Sequence, residues 1–258
     1  MSSRIKKFER RIAKSKDKLK KYSEKIKYYT YRIGITSPTE FQLIDKYPMK
    51  KIFPCNIGIL FCGNFLKRYY EKFVVHLELV YDSFFFNIID LGHYRFSKKL
   101  MKKGVKKEKY NSMKIISSER LSLHPTNKFF QVLIDKRIEN NLDMIVAITK
   151  LPIYSSSNNN IIFLFGEANI DHGCSIVSTL LLKEQFYKRK RNRSLYELRI
   201  QKELIHEVGH LIFGPVHCKN RKCVMSFAKN VSDIDTKYIG LCLECQEKLE
   251  TLKVSYNF

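Results

Sequence analysis

Apolar positions along the chain fall into three patterns. Over residues 1–33, Ile5, Ile12, Leu19, Ile26 and Ile33 recur every seven places, with Phe8, Ser15, Tyr22 and Tyr29 three places after each of the first four. This a/d spacing predicts an amphipathic helix. Short continuous apolar runs at 56–61, 74–81, 143–149, 161–165 and 175–182 predict buried strands, with the serines and asparagines of 155–160 as a turn. Helical spacing marks 65–72, then 128–140 through Phe129, Phe130, Leu133, Ile134 and Ile138. It returns after Leu195, where Leu198, Leu204, Ile205, Val208, Leu211 and Ile212 form one stripe. Strands alternating with helices predict an α/β domain over 55–258. A linker with three prolines, 37–54, joins it to the basic N-terminal helix, 1–36.

Composition narrows the class. With 44% hydrophobic residues, 18 Phe and 15 Tyr in 258 residues, the chain can build a sizeable core, and disorder throughout is excluded. No apolar run approaches the roughly 20 residues of a membrane span. The opening MSSRIKKFERR lacks an apolar signal core, so the expected location is intracellular, cytoplasmic or nuclear.

The net charge of +23 is unevenly spread: 1–33 carry +10, 95–109 carry +7 and 183–193 carry +5. The remainder is nearly neutral, as on an ordinary enzyme surface. The three basic segments are therefore the candidate contacts for nucleic acid or another acidic partner. Along the first helix the g positions Arg11, Lys18, Lys25 and Arg32 offer no attractive pairing to a second copy.

The chemistry lies near the C-terminal end. His206, Glu207, Val208, Gly209 and His210 read H-E-x-x-H on the last predicted helix. Histidines four apart share a helix face, so both imidazoles reach one ion, and the intervening Glu207 borders it, placed to take a proton from water. Gly214 and Pro215 end the helix, and the chain turns into His217. A third histidine after a glycine turn closes a zinc site on one side and leaves it open to water on the other. Cys218 and Cys223, then Cys242 and Cys245, have the spacing of a four-thiolate structural zinc site. Cys55, Cys62 and Cys174 sit in apolar contexts and read as core residues, and His76, His93, His124 and His172 fall outside the motif.

Through HEVGHLIFGPVHC (206–218), CVMSF (223–227) and LCLEC (241–245), the chain resembles the archaemetzincins, a zinc metallopeptidase family of metzincin type. The stretches 109–116 and 151–170 resemble that family's upstream region more weakly. The resemblance implies a metzincin-like domain with a mixed twisted sheet, an active-site helix and a C-terminal four-cysteine zinc subdomain. It implies one catalytic zinc held by His206, His210 and His217, with Glu207 as general base. It implies one structural zinc on Cys218, Cys223, Cys242 and Cys245, Met225 in a turn beneath the catalytic metal, and a peptide or protein substrate lying along an edge strand at 161–165.

The chain departs from the family by one residue: Leu211, Ile212 and Phe213 stand between His210 and Gly214 where the family has two. An added helical residue turns the exit by about 100° and lengthens it by about 1.5 Å, which a π-type bulge would absorb. If the insertion costs the third ligand, the alternative is a catalytically impaired, zinc-stabilised binding protein that engages nucleic acid or an acidic partner through its basic segments.

Overall fold

The structure, a computed structural model, describes residues 54–109, 120–157 and 163–255. The expected helix at 1–36, the linker up to residue 53, the 110–116 part of the upstream stretch, and Ile161 and Ile162 lie outside the described residues.

Strand β1 (Cys55–Cys62) is followed by helix α1 (Lys67–Tyr81) and strand β2 (Phe85–Tyr94), which pairs parallel to β1. A parallel neighbour requires a crossover, and α1 is that crossover. This corrects two expectations. The helix expected at 65–72 continues to Tyr81, and the strand expected at 74–81 is its second half. Tyr69, Phe73, Leu77 and Tyr81 are buried at four-residue spacing, so the need to cover the sheet overrides the local strand preference of the paired valines. The following strand, β2, was not among the expected elements.

After the short helix α2 (Lys98–Lys102) come β3 (Lys106–Lys109) and β4 (Arg120–Pro125), then helix α3 (Asn127–Glu139), β5 (Met144–Thr149) and β6 (Ile153–Tyr154). Strand β7 (Gly166–Asn169) and β8 (Cys174–Ser178) precede the long helix α4 (Arg193–Phe213), α5 (Val231–Thr236) and α6 (Leu243–Ser255). The main sheet runs β2-β1-β5-β8-β7; its first four strands are parallel, and β7 closes it antiparallel. A smaller sheet runs β3-β4-β6.

Alternate residues of the central strands face opposite layers. Ile57, Ile59, Phe61, Met144, Val146 and Ile148 pack with α1 and with Leu204, Ile205, Val208 and Leu211 of α4. Leu60, Cys62, Ile145, Ala147, Cys174 and Ile176 pack with Phe129 and Leu133 of α3. Helices thus cover both faces, which is why these strands read as unbroken apolar runs. Cys55, Cys62 and Cys174 are core residues, as expected.

Two strand bounds differ from expectation. The run at 175–182 is strand only to Ser178 and then a 3-10 turn, Leu180–Leu182. Among the described residues the edge strand beside β8 is Gly166–Asn169; of the run expected at 161–165, the described part 163–165 is no strand, and Leu164 there makes an isolated bridge to Ile153. No helix among the described residues is long and apolar enough to cross a membrane.

Candidate metal centres

Helix α4 carries the first part of the site. Asn192 caps it, its side chain accepting from the Leu195 N–H, and an apolar stripe seats it on the sheet. Buried Arg199 fixes the helix sideways: Nε and Nη2 donate to the two carboxylate oxygens of Asp235 at 2.7 and 2.6 Å, and Nη1 pairs with Glu184 at 2.6 Å. His206, Glu207 and His210 follow on the buried side.

The helix keeps ordinary α geometry through Phe213, and Gly214 N–H donates to the His210 carbonyl at 3.1 Å. No π-type bulge is present. The extra residue is instead taken up as the last helical position, and Gly214, at φ 89°, turns the chain back. His217 is thereby brought to the helical pair, with ring centroids 5.3 Å from His206 and 4.7 Å from His210. One nitrogen from each of the three lies within 4.8 Å of the others.

Tautomers follow from the neighbours. His206 Nδ1–H donates to the Val224 carbonyl at 2.8 Å, and His210 Nδ1–H donates to the Gly214 carbonyl at 2.9 Å. A carbonyl only accepts, so each Nδ1 holds the proton and each Nε2 presents a lone pair. Those two lone-pair atoms face each other at 3.1 Å. Two acceptors at that distance repel unless a cation lies beside both, and a tetrahedral zinc with bonds of about 2.0 Å needs ligands about 3.3 Å apart. Burial, foremost, lowers all three imidazoles, His206 well below its ordinary value and His217 to about 4, which keeps them in the neutral ligating form.

Glu207 has its carboxylate against the edge strand. A Cβ on Gly166 would collide with Glu207 Oε1, and Glu207 Oε2 has no hydrogen-bond partner. Burial, then the charges of Glu203 and Glu167, push the Glu207 carboxyl well above its ordinary range, and Lys237 opposes them. Lys237 is itself buried, 4.0 Å from the equally buried Glu203. Below the helix, Gly209 leaves room for Met225: a Cβ there would strike the Met225 sulfur and the Tyr81 hydroxyl. That hydroxyl donates to the Ile205 carbonyl at 2.6 Å and ties α1 to the motif.

The four clustered cysteines also converge, their sulfurs all within 4.8 Å of one another. Cys218 and Cys242 sulfurs are 3.6 Å apart, too far for a disulfide and close to the roughly 3.8 Å between thiolates on one zinc. Burial pushes the Cys223 thiol up to about 11, and burial with the nearby thiols pushes Cys245 higher still, whereas at Cys242 burial is outweighed by hydrogen bonds and the thiol is lowered; a cation would offset the charge of thiolates crowded this closely. The two clusters share backbone. Cys218 adjoins His217, and its N–H donates to the Met225 carbonyl at 2.9 Å, while Val224 lies between Cys223 and Met225.

The seven metal-ligand candidates read from the sequence thus fall in two adjoining clusters, with Glu207 and Met225 beside the histidines, and His76, His93, His124 and His172 join neither. Gly166, Glu203 and Lys237 were missed. The only signal for Gly166 was an isolated glycine beside an apolar run, which marks close backbone approach. The buried lysine and glutamate left no pattern.

An α/β domain with a helical histidine pair, a third histidine after a glycine turn and a thiolate cluster beside it has the architecture of a zinc metallopeptidase. The model of peptidase family M54 matches residues 98–251, well over half of the chain, and the chain belongs to that family. Its relatives include archaemetzincins from Methanocaldococcus jannaschii, 35% identical over 48% of this chain and 66% of that protein, and from Thermococcus kodakarensis, 40% identical over 40% and 54%. The chain therefore spans between half and two thirds of the length of these curated relatives. In fold it is similar to a zinc-dependent peptidase from Methanocorpusculum labreanum (TM-score 0.56, 22% identity, 75% of this chain and 99% of that one). It is also similar to an archaemetzincin from Methanopyrus kandleri (TM-score 0.54, 21% identity, 79% and 96%).

Proposed function

We propose that the chain is a zinc-dependent peptidase whose catalytic unit is 55–258. The observation that carries this reading is the pair of facing Nε2 lone pairs, with His217 beside them and the Glu207 carboxylate against the sheet edge. His206, His210 and His217 would hold one zinc, and Cys218, Cys223, Cys242 and Cys245 a second, structural one. The same convergence of His217 speaks against the binding-protein alternative, which needs that ligand lost.

When bound, the catalytic zinc supplies Lewis acidity, acidifying water and polarising a carbonyl. The chain's own residues do the rest. Strand β7, the last strand of the main sheet among the described residues, offers its outer edge to an extended peptide or protein substrate by main-chain pairing. Glu207, held against Gly166, takes the proton from the attacking water and delivers it to the departing amine. Val224 and Gly214 carbonyls keep His206 and His210 aimed, and Met225 fills the space beneath. Lys237 offsets the negative charge of Glu203 and Glu207.

Glu207→Ala is expected to fold, retain both zinc ions and lose peptide hydrolysis by at least about a hundredfold. Hydrolysis of a fluorogenic peptide library by this variant at the wild-type rate would falsify the assignment.

A further inference from the structure

A second site lies at the other end of α4. A cleft of about 560 Å³ opens there, a volume suited to a small molecule. Its walls come from segments that follow the carboxyl ends of three parallel strands: Asn64 after β1, Lys150 after β5 and Lys183 after β8. That end of an open parallel sheet is where such folds bind ligands. None of the described residues lining the cleft is acidic.

Five cations line it, and two are already spent: Arg68 and Arg193 pair with Glu197 at 2.9 and 3.1 Å. Lys150, Lys183 and Arg191 have no acidic partner among the described residues. Lys150 instead donates to the Asn64 carbonyl and sits 4.8 Å over the Phe65 ring, while Lys183 lies 5.9 Å from the Tyr196 ring centre. Burial first, then the charges of Lys150 and Arg191, lower the Lys183 ammonium, so the three cations are close enough to repel. Convergent unpaired cations in a recess are stable together when an anion joins them. The N-terminal end of the 21-residue α4 also borders the cleft, through its cap Asn192 and first residue Arg193.

We propose that this cleft binds a small organic phosphate, with Lys183 and Arg191 as its principal contacts and Lys150 completing the set. The bounded cleft favours a single phosphate-bearing molecule over a polymer, which needs cations strung along an open track. The site is separate from the histidine cluster: Arg193 and His206 stand thirteen positions apart along α4, about 20 Å. It does not depend on the peptidase reading.

The test is isothermal titration of the full chain with pyrophosphate and adenosine monophosphate, with adenosine and a mixed-sequence single-stranded oligonucleotide as comparisons. The expected result is saturable binding of both phosphates at Kd below about 1 mM and none of adenosine. Affinity should fall about tenfold or more in Lys183→Met/Arg191→Gln and remain unchanged in Lys229→Met, an exposed cation elsewhere. Lys150→Met provides the second variant if the double one melts early. The proposal is overturned if neither phosphate saturates, if the cleft variants bind as the wild type does, or if only the oligonucleotide binds.

Discussion

Two glycines decide where the reactive groups sit. Gly166 lets the Glu207 carboxylate rest on the edge strand, and Gly209 lets Met225 and Tyr81 approach the helix from beneath. Gly166→Ala is therefore expected to push the Glu207 carboxylate aside while leaving the histidines untouched. We expect kcat to fall by about a hundredfold with zinc content unchanged, since a shift near 1 Å in a reacting group costs about that much. Unchanged kcat in the alanine variant would show that Glu207 is not positioned through this contact. At this scale the sequence was most legible where the partners are neighbours in the chain: His206, Glu207, His210, His217 and the cysteines read directly from their spacing. Gly166, Glu203 and Lys237 were illegible because what they touch is distant in sequence, and a buried charge leaves no periodic trace.

The elements differ in the same way. Helices α3 and α4 were visible because a single buried stripe sets their period. Segment 74–81 misled because Val74 and Val75 favour strands and Leu77, Leu79 and Tyr81 alternate, although the buried set, Tyr69 to Tyr81, is helical. Strand β2 escaped notice as an edge strand with mixed burial along its length. With three residues between His210 and Gly214, the turn at Gly214 still brings His217 to the helical pair, a result that only the turn geometry reveals. Helix α4 depends on Arg199, the one fully buried guanidinium among the described residues, which ties it to Asp235 and Glu184. Arg199→Met takes this buried partner from both carboxylates and leaves Glu184 only Arg189, at 3.6 Å, and we expect a loss of about 3 kcal/mol in urea unfolding. A variant as stable as the wild type would mean that the carboxylates find other partners.

Across the described residues, charge and candidate metal ligands lie apart. Lys183, Arg191 and Arg193 of the basic 183–193 segment line the cleft at the N-terminal end of α4, while His206 and His210 stand towards the opposite end of the same helix. The two clusters themselves are expected to act differently. Cys242→Ser should lose one zinc and lower the Tm by about 5–10 °C, because the four thiolates tie the 218–223 loop to α6. An unchanged Tm would show that the loop is held by packing alone.

In the proposed enzyme three histidines, including His217 beyond the Gly214 turn, hold one zinc beside a separate thiolate zinc. Native mass spectrometry of the wild-type chain and of His217→Ala tests it directly. We expect two zinc ions per wild-type chain and one in the variant under the same mild chelation. A single zinc in the wild type, or two retained equally in both, would contradict it.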